Sequence, residues 1–244
     1  MKKIIYIIIM ILLIGIMLIS SYFILKSYKE DKTQEDIFEE IIDVAVETEN
    51  KKENKEQQEI NMQELYNRND DIVGWLKIDD TNINYPVMQT KNKPNYYLRR
   101  NFYKEYSQWG TPYLDENCDI ESSDSLIIYG HHIQNSKMFG ELENYKKEEY
   151  YKNHKYIKFY TMTKKSEYEI IAVFKTVAYT GFKYYEYNNF VDEREFEIFI
   201  EKCKKLSFYN IENNVNYGEK LIILSTCEYS QENGRLVVVA KEML

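Results

Sequence analysis

Histidine and cysteine are scarce in this chain, with three of each among 244 residues. Three cysteines cannot all pair, so a disulfide-built scaffold is excluded and at least one thiol stays free. A Cys118–Cys203 bridge stays open. Cys118 lies in the polar stretch Asp115 to Asp124, read as a loop, and Cys203 falls at helical spacing with Phe196, Phe199, Ile200 and Leu206. Two of the three histidines, His131 and His132, are adjacent. Neighbouring strand residues point to opposite faces, so this pair does not share one ion, and no cysteine or carboxylate cluster stands beside it at ligand spacing. No metal site is expected. His154, in Lys152-Asn153-His154-Lys155, reads as an exposed loop residue. Excess positive charge is also missing: the net charge of −8 argues against nucleic acid as a partner. Beyond Leu25 the chain is too polar for a further membrane span, and it is long enough for one domain with a substantial core.

What is present begins at the N-terminus. Lys2 and Lys3 precede a mostly apolar, uncharged run of 22 residues, Ile4 to Leu25, closed by Lys26. As a helix it would extend roughly 33 Å, enough for a bilayer core. A cleaved signal peptide has a shorter apolar centre, and Ser20-Ser21 offers no clear small-x-small cleavage site. The run reads as an uncleaved, single-pass anchor in the cell membrane, with the cationic N-terminus inside and the bulk of the chain outside. The expected organisation is a cytoplasmic stub at 1–3, a transmembrane anchor at 4–25, a charged juxtamembrane linker at 26–34 and an extracellular domain at 35–244. Within that domain, N-terminal helices occupy 35–69 and a barrel 70–244. Asp36 to Val46 is amphipathic, with Ile37, Phe38, Ile41, Ile42 and Ala45 on one face. Glu47 to Gln58 is a charged run, and Gln63 to Arg68 is helical around Leu65.

From there the pattern is short strands: Val73–Ile78, Ile83–Met88, Thr111–Leu114, Leu126–Gly130, Tyr156–Thr161, Tyr168–Tyr179, Leu221–Thr226 and Arg235–Lys241. Eight strands with few long helices point to a mainly β, closed or nearly closed barrel. The exception is a helix near Asp192 to Leu206, between the sixth and seventh strands.

The chemistry centres on the last hairpin. Leu221 to Thr226 is an apolar strand ending in Cys227, a polar loop closes with Asn233-Gly234, and Arg235 opens the return strand. Residues flanking such a loop face each other across roughly 5 Å. A thiol beside a guanidinium is favoured as thiolate, and the guanidinium can donate to a developing oxyanion. The plainer reading is a buried cysteine and a solvated arginine. Upstream, Ser125 to Tyr129 is another apolar strand running into Gly130-His131-His132, where an imidazole at the strand end could serve as general acid and base.

These residues resemble the sortase family, and more closely its class B branch. The resemblance is carried by Ile128-Tyr129-Gly130-His131-His132, by Leu224-Ser225-Thr226-Cys227 and by Arg235-Leu236-Val237-Val238-Val239-Ala240. Weaker support comes from Tyr96-Tyr97-Leu98 with Asn101-Phe102, and from Gly110-Thr111-Pro112-Tyr113-Leu114-Asp115. It covers roughly Ile60 to Leu244; Ile223 departs from it, standing where the family often has Thr. The resemblance implies an eight-stranded sortase-type barrel with N-terminal helices and a helix between strands six and seven. It implies a membrane-anchored cysteine transpeptidase of Gram-positive bacteria with Cys227 as nucleophile, Arg235 as oxyanion donor and His131 as acid–base residue. Leu98, Tyr184, Ser225 and Thr226 are the candidate substrate-groove residues, with ordinary packing as their plainer role. The implied substrates are secreted proteins with a C-terminal Asn-Pro-x-Thr-Asn-like sorting signal, cut after Thr. The acceptor is a peptidoglycan or lipid II amine, or an amine of a pilin subunit. No cofactor is expected, because the thioester keeps the energy of the cut bond.

Three rivals differ in stated ways. An L,D-transpeptidase places Arg two residues after its Cys, whereas Glu228-Tyr229 follow Cys227. A papain-like protease has Cys before His. A non-catalytic anchored binding protein would leave Cys227, His131 and Arg235 without a shared role.

Overall fold

A computed structural model describes residues 2–46 and 60–243; the charged run expected at Glu47 to Gln58 lies outside the described residues. Two compact units are resolved, Met1–Glu40 and Ile41–Leu244. Helix α1, Lys2–Val46, is continuous, so residues 26–34, expected as a linker, are helical. They hold nothing that breaks a helix, and local contacts support it: Lys26 lies 3.8 Å from Glu30, and Thr33 Oγ1 donates to Lys29 O. The side chains from Ile4 to Leu25 are exposed, apart from half-buried Gly15. By length and composition this helix can cross a membrane. In the second unit, Ile41, Val44 and Ala45 are buried on the end of the same helix.

The second unit is a closed barrel. Its eight strands are β1 (Ile72–Lys77), β2 (Asn84–Met88), β3 (Tyr113–Leu114), β4 (Ser125–Tyr129), β7 (Tyr156–Tyr160), β8 (Lys165–Val177), β9 (Leu221–Glu228) and β10 (Gly234–Glu242). They lie in the order β1-β2-β3-β4-β9-β10-β8-β7, and β7 pairs with β1 to close the ring. All eight strands read from sequence are present, with ends shifted by a few residues. Two further strands, β5 (His132–Ile133) and β6 (Lys137–Met138), form a small separate hairpin that the sequence pattern did not reveal. They are two residues each, too short for an alternating pattern to show.

Continuous apolar runs become strands buried on both faces. Leu221 to Leu224 and Leu236 to Ala240 have no exposed surface. Trp75 is fully buried in β1, and its ring N–H donates to Asn84 Oδ1 at 2.7 Å, which meets the hydrogen-bonding need of a buried indole. Outside the ring, α4 (Glu193–Leu206) lies between the sixth and seventh barrel strands and packs on β8. It buries Phe196, Phe199, Ile200 and Cys203, the helical spacing read from sequence. Short α2 (Met62–Arg68) buries Leu65, and α3 (Glu148–Asn153) follows a 3-10 segment at Phe139–Lys146.

All three cysteines are free, so the Cys118–Cys203 bridge left open by the sequence is not formed. Cys118 sits in a loop, as expected, but is buried, and its thiol donates to Ser125 O at 3.3 Å. His154 is not an exposed loop residue. It caps α3, is half-buried, stacks on the Tyr150 ring at 4.1 Å and bonds Tyr150 O through Nδ1.

Helix α4 offers a direct test of local stability. Its N-cap, Asp192, accepts from Glu195 N at 2.9 Å. Asp192→Ala should cost about 1 kcal/mol and lower Tm by about 2–4 °C with turnover unchanged. Thermal unfolding beside an activity assay checks this.

Candidate active site

Antiparallel register sets the first contact. In the β9–β10 hairpin Cys227 and Arg235 are direct partners, so their side chains leave the same face of the sheet at the barrel rim. Both are only half-buried, in contrast to the sealed strand segments behind them. Arg235 donates from Nη1 to Gly234 O at 2.9 Å, which ties the root of the guanidinium to its own strand.

A parallel pairing brings the second element. β4 runs beside β9 with Tyr129 opposite Ser225. Gly130 N donates to Ser225 O at 3.1 Å, and Thr226 Oγ1 donates back to Gly130 O at 2.8 Å. Both strands therefore end at one rim, and His131 emerges beside Cys227. Gly130 is not among the residues with positive φ, so no left-handed backbone calls for glycine here. What calls for it is space. A Cβ at Gly130 would lie 2.5 Å from the Phe139 ring.

His131 Nε2 lies 2.7 Å from Leu98 O. A carbonyl can only accept, so Nε2 carries the proton and Nδ1 is the nitrogen left to exchange one. Burial lowers the His131 pKa below the ordinary histidine value; the bond to Leu98 O pulls it up, and the Arg99 charge pushes it down. The ring is therefore mostly neutral near pH 7.

Cys227, Arg235 and His131 line one cleft of about 600 Å³, together with all four candidate groove residues, Leu98, Tyr184, Ser225 and Thr226. Those four are also structural. Tyr184, Ser225 and Thr226 are almost fully buried, and the hydroxyls of Tyr184 and Ser225 are hydrogen-bonded to each other. Sequence reasoning missed the tyrosine wall. Tyr113 and Tyr129 are β3–β4 partners with rings 5.5 Å apart; Tyr113 donates to Asn95 Oδ1 at 2.8 Å and Tyr129 to Asp115 Oδ2 at 3.0 Å. Tyr179 and Tyr185 line the same cleft. Burial raises the Tyr113 and Tyr129 phenols and pushes Tyr184 up to about 12, so these three are neutral at pH 7. In a chain with 24 tyrosines no spacing marked them out.

His132 does not line this cleft. It opens β5, and its Nδ1 lies 3.0 Å from Cys227 O.

A half-buried thiol, a guanidinium and an imidazole are thus gathered on one barrel rim. Residues 76–243 match the model of the sortase domain. This chain belongs to the sortase family. Sortase B of Staphylococcus aureus is 32% identical over 237 residues, 96% of this chain and 95% of that one. A solved sortase B–substrate complex from the same organism superposes with a TM-score of 0.77 at 30% identity, covering 88% of this chain and 98% of that one. A structure of sortase B complexed with triglycine superposes with a TM-score of 0.68 at 34% identity, covering 74% of this chain and 84% of that one. The class B resemblance read from the motifs thus extends over nearly the whole chain. As a sortase the protein is a cysteine transpeptidase, and the L,D-transpeptidase, papain-like and non-catalytic readings fall away.

The His131 environment has a consequence for stability. Its pKa is depressed in the folded protein, so between the folded and ordinary values the unfolded chain binds the extra proton. The burden is absent well above pH 6.5 and grows as pH falls through that value. His131→Gln should therefore flatten the loss of stability between about pH 8 and pH 5.5. Urea midpoints at the two pH values check it; an unchanged slope would mean that burial of this ring is not the cause.

Proposed function

We propose that Cys227 attacks the Thr carbonyl of an Asn-Pro-x-Thr-Asn-like sorting signal, and that the resulting Thr acyl group passes to a cell-wall amine. The cross-strand pair of Cys227 and Arg235 carries this reading. Thiolate attack places negative charge on the carbonyl oxygen, and a guanidinium rooted on the partner strand is preorganised to receive it. His131 as imidazolium donates from Nδ1 to the leaving amine, and as imidazole takes a proton from the incoming amine. The Sγ–acyl thioester divides the transfer into two steps and retains the energy of the cut bond, so no nucleotide or cofactor is required. The neutral tyrosines offer apolar ring faces to an extended peptide without adding charge.

A sortase B has been solved with triglycine, a peptide with a free amine, and this supports an amine acceptor here. Peptidoglycan or lipid II is the source we assign, on an extracellular domain spanning 35–244. Residues 1–3 lie inside, 4–25 cross the membrane and 26–34 lead to that domain, with Lys2 and Lys3 holding the N-terminus in the cytoplasm. This puts nucleophile and wall amine on one side of the bilayer.

Cys227→Ala should abolish cleavage of a sorting peptide with unchanged circular dichroism; near wild-type turnover would remove Cys227 as nucleophile. Arg235→Lys keeps the charge but loses the planar fork of donors. It should lower kcat roughly a hundredfold, the usual size for one lost oxyanion donor. Steady-state kinetics on the peptide read this directly, and a Lys variant with full turnover would show that charge alone suffices.

The acceptor step is tested with residues 26–244, which should be soluble and active because the anchor supplies location alone. Without an amine the thioester should hydrolyse slowly. A peptidoglycan-like amine should divert product from free acid to amide, read by mass spectrometry. Free acid alone across a panel of wall amines would make this chain a protease on a sortase fold.

A further inference from the structure

The second histidine of the Gly130-His131-His132 run has no part in the chemistry above, yet it touches the nucleophile's own backbone. Ser225 O accepts from Gly130 N, so the carbonyl of Ser225 points toward β4. Carbonyl direction repeats every second residue along a strand, so Cys227 O points the same way. Continued register would make the His132 backbone N–H its donor. But β4 has ended at Tyr129, and the chain turns away into the β5–β6 arm. The His132 side chain fills the vacant place, with Nδ1 3.0 Å from Cys227 O. Since a carbonyl only accepts, Nδ1 carries the proton here.

The arm that carries this ring is tightly held. Phe139 N donates to His131 O at 2.9 Å, and a Cβ at Gly140 would fall 2.0 Å from Ile133 O, so the arm folds back where only glycine fits. The 3-10 segment that follows binds the next residue of β9. Lys146 Nζ lies 2.8 Å from Glu143 and 2.7 Å from the nearly buried carboxylate of Glu228, which also accepts from the Ser230 hydroxyl at 2.7 Å. Besides Cys227 O, His132 faces the Glu143 carboxylate at 3.8 Å and the Tyr229 ring, edge-on with the ring centres 5.1 Å apart. Residues 227, 228 and 229 are thus gripped by groups that do not line the cleft.

We propose that His132 is a positioning residue for the sortase reaction, its Nδ1–H replacing the missing strand donor and fixing the Cys227 peptide unit so that Sγ meets the scissile carbonyl. The inference rests on Cys227 being the nucleophile. His132 exchanges no proton with substrate. The bond is made by the neutral Nδ1–H tautomer and by the imidazolium alike, so His132 sets no limb of the pH profile.

Two substitutions separate the donor from the ring. His132→Phe keeps the ring against Tyr229 and removes the donor; His132→Asn restores an N–H at the place of Nδ1. Peptide cleavage is measured per titrated thiol, with Tm and the pH profile recorded for each. The Phe variant should lose roughly tenfold or more in kcat with KM within about twofold, because small misplacements of a reacting group are costly. The Asn variant should return to within about threefold of wild type, and neither should shift a limb of the profile. Wild-type kcat in the Phe variant, an Asn variant as poor as Phe, a loss confined to KM, or a shifted limb would each overturn the proposal. If Cys227→Ala retains turnover, the functional reading itself fails. The rate of alkylation of Cys227 by iodoacetamide in the same two variants then still judges the positioning claim: slowing in Phe with recovery in Asn upholds it, and equal rates overturn it.

Discussion

The site depends on one parallel strand pairing, β4 beside β9. Parallel neighbours end at the same edge of a sheet, whereas antiparallel neighbours have their C-terminal ends at opposite edges. Because Tyr129 lies opposite Ser225, His131 just past the end of β4 and Cys227 near the end of β9 emerge together although 96 positions separate them. The antiparallel β9–β10 hairpin then adds Arg235 from the other side. Removing the parallel pair would leave a thiol beside a guanidinium with no imidazole from β4's end in the cleft.

Burial sets the electrical character of the cleft. Tyr113, Tyr129 and Tyr184 are kept neutral by desolvation, and His131 is pushed toward its neutral form by the same cause. Arg235 remains as a fixed positive charge lining the same cleft.

Support for the site comes from elements outside the cleft. The β5–β6 arm, Lys146 and Glu228 hold the far side of the β9 end, and Phe139 packs so closely on Gly130 that a side chain there would displace it. The barrel end thus divides into a rim that lines the cleft and a brace that meets backbone and buried charge.

The eight barrel strands were legible in the sequence, because β-branched, apolar runs such as Leu221 to Leu224 and Val237 to Val239 bury on both faces wherever they lie. Helix α4 was legible from the spacing of Phe196, Phe199, Ile200 and Cys203, and the long apolar helix from the unbroken run Ile4 to Leu25. Adjacency of Cys227 and Arg235 followed from a hairpin, a local structure. What the sequence did not show depends on distant partners. Helix through residues 26–34 replaced an expected linker, His154 gained a stacking partner in Tyr150, and Gly130 answered to a neighbouring ring rather than to its own φ. The tyrosine wall and the bond from His132 to Cys227 O arise only where chain segments far apart are brought into register. Local periodicity and hairpin geometry are written in consecutive residues, so the sequence determined the strands, the helices and the thiol–guanidinium pair. Which strand lies parallel to which is decided by burial summed over the whole barrel, and so only the tertiary structure set the imidazole beside the thiol and the second histidine behind it.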